Sequence, residues 1–205
     1  MKRMYLVTVP ERLIHGINAA CFVGLAATGF EIRFGRDFPV LRSMERAVRL
    51  HNALGIGFTG SFVAWFLYTL ATRRVRYFLP SAQDRPAAVA GQARYYLVGV
   101  FTGSPYPFTP SEWNKFNPVQ KATYLVLMFA LVPLLVFTGG YLLLAIRRWT
   151  EFDSGALLGW SFVHVAVAFL GAAFLLAHVY MATTGPRPLD SFRTILTGYH
   201  EADEE

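Results

Sequence analysis

Residues 157–182, LLGWSFVHVAVAFLGAAFLLAHVYMA, decide the fold of this chain. The stretch is 26 residues long and contains no Asp, Glu, Lys or Arg. At about 1.5 Å of rise per residue, an α-helix of this length crosses a hydrocarbon layer about 30 Å thick. The stretch therefore predicts a transmembrane helix.

Two histidines lie within this predicted helix. His164 and His178 are fourteen residues apart, with Gly171 midway between them. Seven residues make nearly two full helical turns, so all three residues share one face and the imidazoles are about 21 Å apart along the axis. A lone histidine in an apolar segment is often satisfied by a neighbouring carbonyl or hydroxyl. Ionisable residues inside a membrane are costly, however, and mark functional sites. Two histidines on the same face of one helix favour two separate metal centres, one near each membrane surface.

The composition bounds the class of protein. With 205 residues, 54% hydrophobic residues and a mean hydropathy of +0.37, the chain is too apolar for an ordinary soluble domain. Its net charge of +6 is spread over the connecting segments, which favours membrane topology and excludes a nucleic-acid groove. The single cysteine, Cys21, excludes an internal disulfide, a cysteine-held iron–sulfur cluster and a C-x-x-C-H attachment of c-type haem.

The chain as a whole predicts an all-α integral membrane four-helix bundle with interfacial helices, forming a single membrane domain over residues 1–205. The fourth span is expected to close at Gly185-Pro186-Arg187-Pro188, and a short amphipathic piece at 191–197 to stop at Gly198. A connection at 73–121 contains an apolar stretch, 87–101, that is too short to span and is predicted to lie on the membrane surface. The four spans are predicted at about 13–30, 50–72, 122–146 and 157–182.

Four spans place both termini on one side of the membrane. The segments on that side carry 12 Lys and Arg residues against 7 opposite, so the positive-inside rule predicts cytoplasmic termini in a bacterial inner membrane. With this topology, His15 and His178 lie at the inner depth, and His51 and His164 lie at the outer depth. The four membrane histidines thus form two pairs, while His200 lies in the polar tail and is predicted to be unrelated to them.

Two neutral imidazoles facing each other across a gap are the ligands that a six-coordinate haem b requires. With both axial positions filled, such a haem transfers electrons and binds no substrate. Gly171 would allow a flat cofactor to approach the fourth helix. Arg12, and Arg49 or Arg46, could pair with haem propionates, although arginines that snorkel from helix ends are an equally good interpretation.

On these features the chain resembles the four-helix di-haem cytochrome b subunits of formate dehydrogenase, thiosulfate reductase and nickel–iron hydrogenase complexes. The resemblance covers nearly the whole chain. It rests on the helix count, the four histidines, their fourteen-residue spacing, and the stretches FNPVQKATYLVLMFALVPLLVFTGGYLL and HVYMATTGPRPLDSFRTILTG. It implies an inner haem held by His15 and His178 and an outer haem held by His51 and His164, which is also the pairing that the topology predicts.

The resemblance further implies a quinone site. In formate dehydrogenases of this type, an Asn-x-Gly-Gln-Lys stretch entering the third helix lines such a site near the inner haem. The matching residues here are Asn117, Gln120 and Lys121, with Val119 in place of the glycine. A structural alternative is that Asn117 and Pro118 simply cap and start the third helix. Both roles are compatible.

The sequence therefore predicts a di-haem cytochrome b that is the quinone-reactive electron-transfer subunit of an oxidoreductase complex. Its expected partners are menaquinone or ubiquinone and, on the periplasmic side, molybdopterin and iron–sulfur subunits or a multi-haem c-type cytochrome. One rival is a free-standing quinol-oxidising cytochrome b. Another is a metal or proton transporter with a histidine relay, which is disfavoured because the spans lack carboxylates and the histidines lie at two depths.

Overall fold

A computed structural model describes residues 2–111, 113–146, 153–184, 187 and 189–202. Within these residues, four helices are long and apolar enough to cross a membrane, as predicted: Val9–Phe34, Met44–Ala71, Pro118–Ala145 and Ser154–Thr183. Large apolar side chains on them are exposed, and Leu158, Phe162 and Leu176 are each about three-quarters accessible (74%, 75% and 74%). Apolar helices that leave such side chains uncovered suit a lipid environment.

The first two spans are α1 (Val9–Phe34) and α2 (Met44–Ala71). Both begin earlier than the hydrophobic pattern predicts, because polar residues complete their first turns. At the start of α1, Glu11 accepts hydrogen bonds from the Thr8 backbone N–H at 2.8 Å and from the Thr8 hydroxyl at 2.9 Å, so the helix begins before the apolar run. The buried Glu31 accepts from the Leu41 and Ser43 backbone N–H groups and orders the connection into α2.

The third span is interrupted in its middle. It starts as α4 (Pro118–Val126), passes through a π-helical turn at Leu127–Leu131, and continues as α5 (Val132–Ile146). Pro133 lies just after this turn. Because proline lacks an N–H and its ring clashes with the carbonyl four residues earlier, the wider π turn accommodates it without breaking the span.

The remaining helices are α3 (Pro86–Arg94), α6 (Ser154–Thr183) and α7 (Asp190–Thr197). α3 continues through a π turn at Tyr95–Gly99 into Val100–Thr102, so the stretch predicted to be an interfacial helix is helical. Gly198 ends α7 with a φ of 88°, in the left-handed region that favours glycine, as predicted. Of the predicted closure of the fourth span, Gly185, Pro186 and Pro188 lie outside the described residues.

A small sheet was not predicted. Strand β1 (Lys2–Tyr5) pairs antiparallel with β2 (Tyr199–Ala202), so that Tyr5 lies opposite Tyr199. Each strand has only four residues, and no short-range turn joins them, so the sequence carried neither the length nor the hairpin signal that predicts a pair of strands.

The chain divides into two compact units, each assembled from separate segments. Unit 1 comprises Met1–Arg12, Tyr68–Ala130 and Phe174–Glu205, and unit 2 comprises Leu13–Leu67 and Leu131–Ala173. In unit 1, Arg74 forms an ion pair with Glu11 at 2.6 Å.

Small residues allow close packing in unit 2. A Cβ at Gly24 would lie 2.6 Å from Leu54 Cδ1, and one at Gly57 would lie 3.8 Å from Cys21 Sγ. Cys21 therefore packs against a glycine of α2.

Candidate functional site

Two of the four membrane histidines face each other in unit 2. The ring centres of His51, on α2, and His164, on α6, lie 6.3 Å apart, and the ring planes are inclined at 78°. These two residues are the predicted outer pair. The structure thus brings together side chains that are far apart in sequence.

The orientation of His51 is fixed by Thr28 on α1. The Thr28 hydroxyl donates to the Gly24 carbonyl at 2.7 Å, and its oxygen lies 2.9 Å from His51 Nδ1. A hydroxyl has one proton to donate, so toward the imidazole Thr28 acts as acceptor and His51 Nδ1 carries the hydrogen. The neutral ring then has its lone pair on Nε2, the nitrogen that is free to bind a metal.

His164 is held in the same way by Thr138 on α5. The Thr138 hydroxyl donates to the Leu134 carbonyl at 2.7 Å, and its oxygen lies 2.8 Å from His164 Nδ1. Thr28 and Thr138 are 1% and 0% exposed, so both hydrogen bonds are shielded from water. Two independent helix pairs therefore present two imidazoles in the same tautomer.

A glycine follows each threonine and makes room for the ring. A Cβ at Gly29 would lie 3.4 Å from His51 Cε1, and a Cβ at Gly139 would lie 3.3 Å from His164 Cε1. The threonine and the glycine together form what we call a Thr-Gly cradle: Thr28-Gly29 for His51 and Thr138-Gly139 for His164.

This donor set fits a haem iron. Two imidazoles that bind opposite sides of one metal at roughly 2 Å have their ring centres roughly 6 Å apart, close to the separation of His51 and His164. Within the described residues, no group of three or more His, Cys, Asp or Glu could hold a bare metal ion. A tetrapyrrole supplies the four further nitrogens that a histidine pair lacks.

The predicted inner pair is divided between the units, with His15 in unit 2 and His178 in unit 1. The His178 ring stacks on Phe174 with a centre separation of 5.5 Å. The pairing of His15 with His178 stays a prediction.

The three residues predicted to contact haem make contacts within the protein. An Arg12 guanidinium N–H donates to the Leu196 carbonyl, and Arg49 forms an exposed ion pair with Glu45. Gly171 is buried, and a Cβ there would lie 3.1 Å from the Phe22 ring. Helix packing thus accounts for Gly171, and the haem roles of all three remain predictions.

The predicted quinone residues begin α4 in a capping box. The Asn117 side chain accepts from the Gln120 backbone N–H at 2.9 Å, and the Gln120 side chain accepts from the Asn117 N–H at 3.0 Å. This confirms the capping role. Asn117 is fully buried, and its amide nitrogen also donates to the Tyr96 and Tyr106 hydroxyls at 2.8 and 3.0 Å.

Lys121 has a partner that the sequence did not indicate. Its Nζ lies 2.7 Å from Asp84 Oδ2, and both side chains are 4% exposed. Burial raises the pKa of the Asp84 carboxyl, but hydrogen bonds from Lys121 and Ser81 outweigh it and hold that pKa below its ordinary value. Asp84 is therefore a charged, buried acceptor at neutral pH.

Sequence reasoning missed both Thr-Gly cradles. The one available signal was a Thr-Gly dipeptide on a span other than that of the histidine. That signal is weak, since the chain contains six Thr-Gly dipeptides. His200 was predicted to be unrelated to the membrane histidines, and its Nδ1 lies 3.3 Å from Asp190 Oδ2 within unit 1.

Known proteins resemble this chain over nearly its full length. The chain matches the prokaryotic cytochrome b561 family over residues 6–198. It is 29% identical over 199 residues, covering 97% of this chain and 75% of the relative, to the protein named "Putative cytochrome YdhU" from Escherichia coli (strain K12). The chain therefore belongs to the prokaryotic cytochrome b561 family of membrane haem proteins.

Proposed function

We propose that this protein is a di-haem cytochrome b that passes electrons between a periplasmic redox partner and the membrane quinone pool. The observation that carries the proposal is the facing pair His51 and His164, each with Nε2 left free by its Thr-Gly cradle. Family membership supports haem b as the cofactor and favours electron transfer over a histidine-relay transporter.

The residues of unit 2 would prepare the outer site before any electron moves. His51 and His164 would hold the haem iron, and Thr28 and Thr138 would hold both rings in one tautomer. A haem b bound there would supply one-electron transfer. Because both threonines are buried, water would not compete for the imidazole N–H groups.

The second haem of the proposal uses His15 and His178, with Arg12 and Arg49 as candidate propionate partners. Its support is the sequence topology, which places these histidines at one depth near the cytoplasmic surface. In this arrangement both termini are cytoplasmic. Electrons would cross the bilayer from one site to the other.

The quinone would exchange electrons near the inner site, beside Asn117, Gln120 and Lys121. On the opposite surface, the proposed partner is a molybdopterin and iron–sulfur subunit or a multi-haem c-type cytochrome, with this chain as the quinone-reactive subunit of an oxidoreductase complex. Purification in mild detergent tests the partner. A protein that purifies alone and still oxidises quinol would instead be a free-standing cytochrome b.

The decisive experiment is a reduced-minus-oxidised spectrum combined with haem quantification on purified protein. The proposal expects two haems b per chain, both low-spin. One haem per chain, or a high-spin spectrum, would contradict it.

The quinone residues need a separate test, because the structure gives them structural roles. Gln120→Ala removes the acceptor for the Asn117 N–H, and Lys121→Ala leaves Asp84 unpaired. A quinone role predicts slower haem reoxidation by a quinone analogue with both haems still bound. Unchanged reoxidation would leave only the capping and ion-pair roles.

A further inference from the structure

Three cationic side chains of unit 1 lie against one aromatic ring. The Lys115 Nζ is 4.5 Å from the centre of the Tyr77 ring. The guanidinium carbons of Arg74 and Arg76 are 5.5 and 5.1 Å from the same centre. The face of a tyrosine ring attracts cations, but three like charges around one ring also repel one another. We call Arg74, Arg76 and Lys115 the cationic cluster.

Glu11 balances the charge of the cationic cluster only in part. It accepts from Arg74 Nε at 2.6 Å, and 15% of the Glu11 side chain and 21% of the Arg74 side chain are exposed. Burial lowers the pKa of Lys115 to about 8, and Arg74 and Arg76 add to this effect while Glu11 opposes it. Among the described residues, three cations and one carboxylate therefore leave an excess of two positive charges at neutral pH.

Arg76 and Lys115 also have donors that are not committed. Arg76 Nη2 donates to the Tyr77 hydroxyl at 3.3 Å, and Lys115 Nζ donates to the Leu6 carbonyl. A guanidinium has five N–H donors and an ammonium has three, so most of them have no acceptor among the described residues. The Arg76 guanidinium carbon also lies 5.3 Å from the centre of the Trp113 ring. Two aromatic rings thus hold an exposed guanidinium in position.

The cationic cluster lies at the ends of two membrane-spanning helices. Arg74 follows the end of α2 at Ala71, and Lys115 precedes the start of the third span at Pro118. Trp113 is 76% exposed. Exposed tryptophan together with arginine and lysine at helix ends is typical of the membrane–water interface. The anion available at this depth is the phosphate of a lipid headgroup.

We propose that the cationic cluster binds the phosphate of an anionic phospholipid headgroup, with Arg76 and Lys115 donating to the phosphate oxygens. Hydrogen bonds from these cations to a phosphate are charge-assisted, and a guanidinium can bind two oxygens at once. A choline or ethanolamine headgroup would add a positive charge beside a cluster that already has an excess of two. The cluster therefore selects a lipid with net negative charge, such as phosphatidylglycerol.

Two variants of the full-length, haem-loaded protein each remove one charge of the cluster and keep a polar side chain: Arg76→Gln and Lys115→Gln. Arg76 is exposed, so its replacement leaves the packing of unit 1 unchanged. The matched control is Arg94→Gln, which removes an exposed arginine of unit 1 at the end of α3, outside the cluster. Haem spectra and thermal unfolding identify any variant that fails to fold.

The measurement is native mass spectrometry of delipidated protein with dioleoylphosphatidylglycerol, and with dioleoylphosphatidylcholine as the zwitterionic lipid of the same chains. Wild type should bind phosphatidylglycerol several-fold more tightly than phosphatidylcholine. Arg76→Gln and Lys115→Gln should each weaken the binding of phosphatidylglycerol about fivefold, because each removes one cation next to the headgroup. Both variants should bind phosphatidylcholine as wild type does, and Arg94→Gln should bind both lipids as wild type does.

Three results would overturn the proposal. The first is equal binding of the two lipids by wild type. The second is a loss in Arg94→Gln as large as in Arg76→Gln, which would show an effect of overall surface charge. The third is displacement of the lipid by an equal concentration of inorganic phosphate, which would show a site for free phosphate.

Glu112 requires its own variant, because it precedes Trp113 in the sequence and lies outside the described residues. Its carboxylate is the alternative occupant of the cationic cluster. Glu112→Gln should keep the preference for phosphatidylglycerol that wild type shows. A preference that appears only in Glu112→Gln would identify Glu112 as the anion of the cluster and overturn the proposal.

Discussion

The oxygen of Thr28 lies 2.9 Å from His51 Nδ1, while the Thr28 proton is committed to the Gly24 carbonyl. The same relationship joins Thr138 to His164 at 2.8 Å. A threonine whose hydroxyl donates a hydrogen bond to a carbonyl of its own helix is common. Here that hydrogen bond determines which imidazole nitrogen keeps its hydrogen. The tautomer of a proposed haem ligand thus depends on a residue of another helix.

Replacing Thr28 or Thr138 by valine should weaken the outer site without removing either histidine. Valine keeps the shape but removes the hydroxyl oxygen that accepts from the buried Nδ1–H, and loss of such a partner typically costs about 10- to 100-fold in metal affinity. An acceptor at Nδ1 makes the imidazole more basic and favours ferric iron. The midpoint potential of the outer haem should therefore rise by roughly 20 to 60 mV. Redox titration and haem retention measure both effects.

The control for these variants is Thr123→Val. Thr123 donates to the carbonyl four residues earlier at 2.7 Å, so valine there removes the same intrahelical bond. It should leave the midpoint potential of the outer haem unchanged. Equal shifts in all three variants would mean that the effect comes from helix distortion and not from the imidazole.

The fold was largely predictable from the sequence, but the residues that hold the two histidines in place were not. Long apolar stretches and the positions of His51 and His164 predicted four spans and a facing pair, because hydropathy and helical rise act over one segment at a time. Lateral contacts between helices have no such local signature. Three of the six Thr-Gly dipeptides lie in predicted spans, and nothing in the sequence distinguishes Thr28-Gly29 and Thr138-Gly139 from Thr59-Gly60.

Alanine at each membrane histidine tests the pairing. His51→Ala and His164→Ala should each remove the outer haem and lower the haem content from two to one, because a single imidazole holds a six-coordinate haem poorly. His15→Ala and His178→Ala should remove the inner haem instead. Difference spectra of the four variants should therefore fall into two matching sets. A spectrum of His15→Ala that resembles that of His164→Ala would show that the topology is wrong.

A larger side chain in place of Gly139 should displace the imidazole of His164. A Cβ there already lies 3.3 Å from His164 Cε1, so Gly139→Val should reduce the outer haem content. Gly140→Val is a close control, since a Cβ at Gly140 meets no atom within 4 Å and the helix propensity changes equally. Haem per protein in the two variants is the measurement. Equal losses would attribute the effect to helix propensity.

Lys121 illustrates a second limit of the sequence. Its partner Asp84 lies 37 residues earlier, in a connection where no periodic pattern indicates a contact. The sequence suggested a quinone role for Lys121, and the structure adds an ion pair that any test of that role has to take into account.

Breaking this ion pair should be costly. Asp84→Asn or Lys121→Met leaves one charge buried and unpaired, which typically destabilises by about 3 to 5 kcal/mol. The double variant should lose clearly less than the sum of the two, because no unpaired charge remains. Unfolding in mixed micelles gives the four free energies of the cycle. Additive losses would show that the two side chains do not interact in solution.

The partly buried Lys115 predicts that the free energy of unfolding depends on pH in the alkaline range. Its Nζ donates to the Leu6 carbonyl and lies 4.5 Å from the centre of the Tyr77 ring. Burial lowers its pKa from the ordinary 10.5 to about 8. Between these two values the unfolded chain binds the proton more tightly than the folded protein does. The free energy of unfolding should therefore rise with pH between about 8 and 10.5.

The contribution of Lys115 is isolated by comparison with Lys115→Met, which cannot titrate. Over this pH range, wild type should gain about 1 to 3 kcal/mol relative to the variant. Below pH 8 the difference should be constant, because the amine is protonated in both states. The measurement is unfolding in mixed micelles, followed by circular dichroism at several pH values from 7 to 10.5. Parallel curves for the two proteins throughout this range would show that the amine has its ordinary pKa and is not buried.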